Sequence, residues 1–289
     1  MKESIAKLKM IGAMCIFGTV GLFVRLIPMA SAQIAFWRGI IGFLFLLGFM
    51  MVTGKSPSIK HIRANALVLC LSGIAIGGNW ILLFESYRHT TVATATVCYY
   101  MAPVLVVLAS PLIGEKLRPK KLICFAFALL GMVLVSGVIE NGVPSASEIA
   151  GVLFGLGAAV LYASVMLLNK KLKHISGYDR TLVQLLMAAV VVLPYILATE
   201  GFHFAGMTTK DWLVLVAVGV VHTGIAYAFY FDSMRRLKAQ TTALFSYLDP
   251  VVAILLSTIL LREPLSPLSA CGMLLVLGSA AVSEQRKKR

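Results

Sequence analysis

Charge is scarce in this sequence, and acid is the scarcer sign: 12 of 289 residues are Asp or Glu, and charged residues of both signs make up 13%. A soluble domain carries about 25%. Long polar stretches are missing too. The widest gaps between apolar runs hold roughly a dozen residues, far below the ~50 a separate soluble domain needs. Cysteine is sparse and scattered: Cys15, Cys70, Cys98, Cys124 and Cys271 are odd in number, lack C-x-x-C spacing and fall inside apolar runs. They support neither a disulfide framework nor a metal site, and read as small buried hydrophobes. No two carboxylates are closer in sequence than Glu140 and Glu148, which argues against acids clustered to hold Mg²⁺ at a diphosphate. Gly54-Lys55-Ser56 echoes the end of a phosphate-binding loop, but Gly48 is one position too far upstream and no strand precedes it, so nucleotide binding is unsupported.

What fills the sequence is apolar: 59% of residues are hydrophobic, an excess that only lipid can accommodate. The runs place ten membrane helices at about 8–27, 32–52, 65–86, 91–114, 119–138, 148–169, 180–198, 211–231, 239–261 and 266–283, each near the ~20 residues that span a bilayer. Basic residues set the orientation. Lys2, Lys7 and Lys9, then Lys55, Lys60 and Arg63, then Lys116, Arg118, Lys120 and Lys121, fall on alternate ends. So do Lys170, Lys171, Lys173 and Arg180, then Arg235, Arg236 and Lys238, then Arg286–Arg289. The other ends hold few: Arg25, Arg88, Lys210 and Arg262. Both termini are therefore expected in the cytoplasm, and the formal charge of +14 reads as orientation and attraction to anionic lipid, not as a nucleic-acid footprint.

The halves match. FESYRHTTVATATVCYYMAPV (84–104) aligns without gaps to FDSMRRLKAQTTALFSYLDPV (231–251), with Phe84/Phe231, Arg88/Arg235, Tyr100/Tyr247 and Pro103/Pro250 identical and Glu85/Asp232 an acid pair. Residues 12–25 likewise meet 157–170. That partner marks the first segment as a retained helix, although Lys2, Lys7 and Lys9 before an apolar run and Ala30-Ser31-Ala32 also fit a cleaved signal peptide. The repeats are expected over 1–142 and 143–289. Five helices each, an odd number, would insert the second copy upside down, the build many secondary transporters use for alternating access.

Several short motifs carry a family resemblance: Phe17-Gly18, Trp37-Arg38, Ala102-Pro103, Asp249-Pro250, Gly114-Glu115-Lys116-Leu117 and Arg262-Glu263-Pro264-Leu265. With them the chain resembles the ten-helix branch of the drug/metabolite transporter superfamily, built of two EamA-type repeats. The resemblance implies carriage of small metabolites, often export of amino acids, without ATP and often coupled to protons or by exchange. It implies no particular substrate. Phe17 stands where that family often has Trp, and Cys124 where it often has Gly.

Asp249 is the first candidate for chemistry. It lies about ten residues into the ninth helix, ~15 Å deep, where a carboxylate costs roughly 2.5–3.5 kcal/mol and so should face protein or water. Thr242, Ser246, Asp249 and Ser257 form a polar stripe, and Pro103 and Pro250 loosen the fourth and ninth helices as hinges. His222, at similar depth in the eighth, could pair with Asp249 to couple protons. Asn79, Trp80, Tyr99, Tyr100, Tyr162, Tyr227, Ser246 and Tyr247 are the substrate-lining candidates, since aromatic walls with few polar groups suit an organic solute. Glu85 with Arg88 and Asp232 with Arg235 read as gate or structural pairs; Arg25 and Arg38, near the outer surface, read either as snorkelling or as attracting an anionic group. Glu115 and Glu263 are expected to fix short turns, and Gly73/Gly77 and Gly151/Gly155 to let helices approach.

The expectation is a secondary active transporter in the cytoplasmic (inner) membrane, exporting amino acids or similar small metabolites by alternating access, with protons as the candidate coupling ion. A lipid-carrier flippase or an intramembrane lipid-modifying transferase is the alternative. The partners are a small organic solute and the bilayer; no cofactor, metal, nucleotide or nucleic acid is expected, and a homodimer is left open.

Overall fold

The computed structural model describes residues 2–24, 26–90, 92–117, 119–135, 139, 149–199, 201–260 and 266–284. All regular elements among them are helical. The first half holds α1 (Lys2–Val24), α2 (Ser31–Val52), a short α3 (Ile59–Ala64), α4 (Ala66–His89), α5 (Val92–Tyr99), α6 (Ala102–Ala109) with a 3₁₀ turn Ser110–Ile113, and α7 (Pro119–Val135). The second holds α8 (Ile149–Lys171), α9 (Gly177–Thr199), α10 (Thr209–Ala217), a π-helical segment Val218–Ile225, α11 (Ala226–Arg236), α12 (Ala239–Phe245), α13 (Leu248–Leu260) and α14 (Pro267–Glu284). Arg25, Arg118, Arg262, Glu263, Arg286–Arg289 and the junction of the two repeats lie outside the described residues, as do the side chains of Thr94 and Ser257.

Eight stretches are long and apolar enough to cross a bilayer: α1, α2, α4, α8, α9 and the joined segments Ala95–Ile113, Thr209–Arg236 and Ala239–Leu260. Of the ten expected crossings, the remaining two fall short of that measure: α7 has 17 residues, and the apolar part of α14 is Pro267–Ser279. Leu8, Leu67, Leu112, Leu153, Leu213 and Leu274 point outward, as befits helices solvated by lipid. Cys98 and Cys124 are buried, but Cys15 and Cys271 lie on the exposed surface, against the expectation that all five are interior.

Helices of the two halves interleave. α4 packs on α8 and α1 on α11; α9 packs on α4, and α2 on the π segment; α1 meets α13, and α8 meets α5 and α6. α2 also lies on α9, α6 on α12, and α7 on α14. Small residues permit the closest crossings. A Cβ on Gly77 would lie 2.8 Å from the Ala188 carbonyl, and one on Gly155 2.7 Å from Cys98 Cβ.

Two of the crossings are broken. Pro103 and Pro250 lack the N–H that would bond the carbonyls of Tyr99 and Ser246. At both places the chain tightens instead: the Met101 N–H donates to the Cys98 carbonyl (3.2 Å) and the Tyr247 N–H to the Leu244 carbonyl (3.3 Å). α5 therefore stops at Tyr99 and α12 at Phe245, where unbroken helices were expected.

Candidate functional site

The broken helices border a cavity of about 330 Å³, walled by α1, α2, α4, α5, α8, the π segment, α11 and α13. The break before Pro250 puts Asp249 at the start of α13 with its carboxylate on the cavity. Oδ1 accepts a hydrogen bond from the Tyr100 hydroxyl. Tyr100 is steadied from behind, because the fully buried Tyr247 donates to its carbonyl at 3.1 Å. Gly18 of α1 passes directly over this point. A Cβ there would lie 2.6 Å from the Asp249 carbonyl oxygen and 2.7 Å from Val252 Cβ, so a glycine is what lets α1 come this near.

Aromatic rings form most of the wall. Tyr99 stacks on Tyr162 with centroids 5.4 Å apart and 4° between planes. The Tyr162 hydroxyl meets that of Tyr230 at 2.9 Å and lies 3.5 Å from Ser246 Oγ. Phe17 sits edge-on to Tyr227 (5.1 Å) and to Tyr230 (5.9 Å). Asn79 borders the cavity but commits its amide nitrogen to the Ala158 carbonyl at 2.7 Å.

Arg38 also lines the cavity, which goes against snorkelling at the surface and leaves the anionic-group reading. Its guanidinium carbon lies 4.4 Å from the centre of the Trp80 ring, a cation–π contact. Among the described residues its buried Nε has no hydrogen-bond partner, and no carboxylate pairs with it. His222 lines the same cavity but does not pair with Asp249. Its Nε2 lies 2.7 Å from Thr19 Oγ1, and that hydroxyl donates to the Ile16 carbonyl at 2.7 Å. With the Thr19 hydroxyl committed to Ile16, a neutral His222 donates from Nε2.

Of the residues expected to bind substrate, Asn79, Trp80, Tyr99, Tyr162 and Tyr227 line the cavity, while Tyr100, Ser246 and Tyr247 stand behind it. Tyr87, Tyr230 and Phe231 line it without having been singled out. Tyr230 and Phe231 were within reach of sequence reading, being three and four residues beyond Tyr227 on one helical face.

The paired acids lie far apart. Glu85 Oε1 is 3.1 Å from Arg88 and accepts from the Tyr195 hydroxyl, and Oε2 is 3.5 Å from His89. Asp232 is held by Lys9 at 2.7 Å and Arg235 at 3.8 Å, with Gly177 packed against it. Gly177 and Tyr195 lie near opposite ends of α9, so at ~1.5 Å per residue the two acids are about 27 Å apart along its axis. Glu115 reaches across the halves, accepting from the N–H of Ala239 (2.7 Å) and Gln240 (3.4 Å). Among the described residues no three His, Cys, Asp or Glu side chains are grouped to hold a metal ion.

The profile of the EamA-like transporter family matches this chain twice, at residues 4–137 and 149–284. An uncharacterized transporter, YxxF of Bacillus subtilis (strain 168), is 30% identical over 290 residues, covering 99% of this chain and 92% of its own. Protein RarD of Salmonella typhi is 26% identical over 86% of this chain and 83% of its own. The aromatic amino acid exporter YddG of Ancylobacter novellus is 27% identical over 73% of this chain and 74% of its own. A solved crystal structure superposes with a TM-score of 0.85 across 96% of this chain and 97% of that one, at 21% identity, a likeness of fold. With both halves matched and a relative similar along nearly its whole length, the chain belongs to the EamA-like transporter family.

Proposed function

We propose that the protein is a secondary active transporter that exports amino acids or similar small metabolites across the cytoplasmic membrane by alternating access, with protons as the coupling ion. Asp249 carries this reading: a carboxylate on an aromatic-walled cavity, at the break of a membrane helix, bonded only to a tyrosine hydroxyl among the described residues. A group so placed can exchange a proton with the cavity without dismantling an ion pair. The aromatic wall suits an organic side chain, in keeping with the relative named as an aromatic amino acid exporter.

Under this reading ten helices cross the bilayer as two inverted five-helix repeats, 1–142 and 143–289, with both termini cytoplasmic. The packing supports it. Exchanging the halves turns α4 on α8 into α11 on α1, α9 on α4 into α2 on the π segment, and α8 on α6 into α1 on α13, all of which are present. The aligned acids Glu85 and Asp232 lie near opposite ends of α9, as an axis in the membrane plane requires. His222, on the same cavity and bonded to Thr19, takes a secondary part in proton handling.

The test is solute flux in proteoliposomes with and without an imposed pH difference. Asp249→Asn keeps size and hydrogen bonding but cannot ionise. It is expected to abolish stimulation by the gradient while leaving some gradient-free exchange, and His222→Gln to shift the pH dependence without erasing it. Asp249→Asn protein that responds fully to the gradient would exclude this residue as the proton carrier.

A further inference from the structure

Arg38 has a counterpart. Setting α2 against α9 on Arg38 and Arg180 also pairs Phe36 with Tyr178, Leu44 with Leu186, and Gly42 with Gln184. Packing supports the same frame independently of residue identity. A Cβ on Gly42 would lie 3.1 Å from the Gly219 carbonyl, and Gln184 donates to Ser72 Oγ. Ser72 and Gly219 occupy matching positions in the frame that pairs Phe84 with Phe231.

The two arginines differ in exposure to the cavity. Val24, Ser31 and Tyr87 line its upper part, and the last two are exposed, so it runs toward the end of the bundle where α1 stops and α2 begins. Arg38 lies on that path. Arg180 lies behind the floor, fully buried in the first turn of α9. One guanidinium nitrogen donates to the Phe231 carbonyl at 3.0 Å, and Phe231 itself lines the cavity. Nε and the other terminal nitrogen are buried without hydrogen-bond partners among the described residues. Beyond it, Lys9 and Asp232 join α1 to α11.

A guanidinium away from water with donors left over is unfavourable, and its planar fork fits a carboxylate. We propose that Arg38 and Arg180 are alternate anchors for a carboxylate on the substrate. Arg38 serves in this state; Arg180 serves in the state opened toward the Lys9 end, where Arg38 is sealed as Arg180 is here. With Asp249 on the same cavity to meet an ammonium group, the substrate class is a zwitterionic amino acid. The inference rests on the transporter reading of this cavity.

Its first test needs no substrate. In a chain whose five cysteines are replaced, Arg38→Cys should react with a membrane-impermeant thiol reagent only from the Ser31 end, and Arg180→Cys only from the Lys9 end. Arg180→Cys protein that reacts from neither end, or from the same end as Arg38→Cys, overturns the proposal. The second test uses Arg→Lys variants, which keep charge and bulk should the cysteine variants fail to insert. For radiolabelled L-phenylalanine in sided proteoliposomes, Arg180→Lys should raise KM about tenfold at the Lys9 end and leave it unchanged at the other, with Arg38→Lys the mirror image. Equal changes at both ends overturn it. A parent protein that moves no phenylalanine counts against the function proposed above, while the thiol result decides the arginine exchange by itself.

Discussion

Trp80 is held from two sides. It is 5% exposed, supports the Arg38 guanidinium on one face and lies against Gly39 of α2. Tyr99 is only half-buried, stacked on Tyr162 and edge-on to Tyr100. The two should therefore respond differently to truncation. Trp80→Ala is expected to cost about 3–5 kcal/mol of stability as well as binding. Tyr99→Ala should weaken solute binding with a much smaller change in melting temperature. Thermal melts in detergent alongside a binding titration separate the two, and equal losses of stability would make Tyr99 a packing residue. Both side chains were visible in the sequence, Trp80 meeting Tyr227 when the frame that pairs Phe84 with Phe231 is extended upstream and Tyr99 beside a proline-loosened turn. The place of Arg38 on the cavity was hidden because sequence gives depth along a helix but not what the side chain meets; its partner Trp80 comes from a different helix. The expected pairing of His222 with Asp249 fails for the same reason, since Thr19, which takes its Nε2, lies about two hundred residues earlier.

Among the helices, the close pass of α1 over α13 depends on a missing side chain. Gly18→Ala must push α13 or bend α1, and overpacking of this kind costs about 1–3 kcal/mol. Gly12→Ala, on the same helix with open space around it, should be neutral or slightly stabilising. The comparison is made by melting the two variants side by side, and an equally tolerated Gly18→Ala would mean that α1 is looser than the geometry requires. Long apolar runs make the helices plain in the sequence, and Pro103 and Pro250 mark where two of them weaken. The π segment leaves no such mark. His222 and Tyr227 both line the cavity although residues five apart in an α-helix point about 140° away from each other. The wider turn, with the Thr223 hydroxyl bonded five residues back to the Val218 carbonyl, is what brings them to one side. A helical wheel drawn through Thr209–Arg236 is wrong across that turn.

At the scale of the whole molecule, orientation is open to direct measurement. With native cysteines removed, a cysteine at Gly206 should label from outside intact cells, and cysteines at Ser56 and His174 only after permeabilisation. Arg88→Cys and Arg235→Cys should label from opposite sides; matching accessibility would sink the inverted arrangement. The interleaving of the halves also bears on how the protein is made. The main partners of α1 are α11 and α13, roughly 200 residues downstream, which at ~5–20 residues per second is a wait of about 10–40 s during synthesis. Through that interval Lys9 has no Asp232, and the notch at Gly18 has no helix to receive it. The first half must sit in the bilayer with its inner face covered by lipid or by the insertion machinery. Slow codons placed after α7 would lengthen the wait and lower the yield of full-length protein without changing one amino acid.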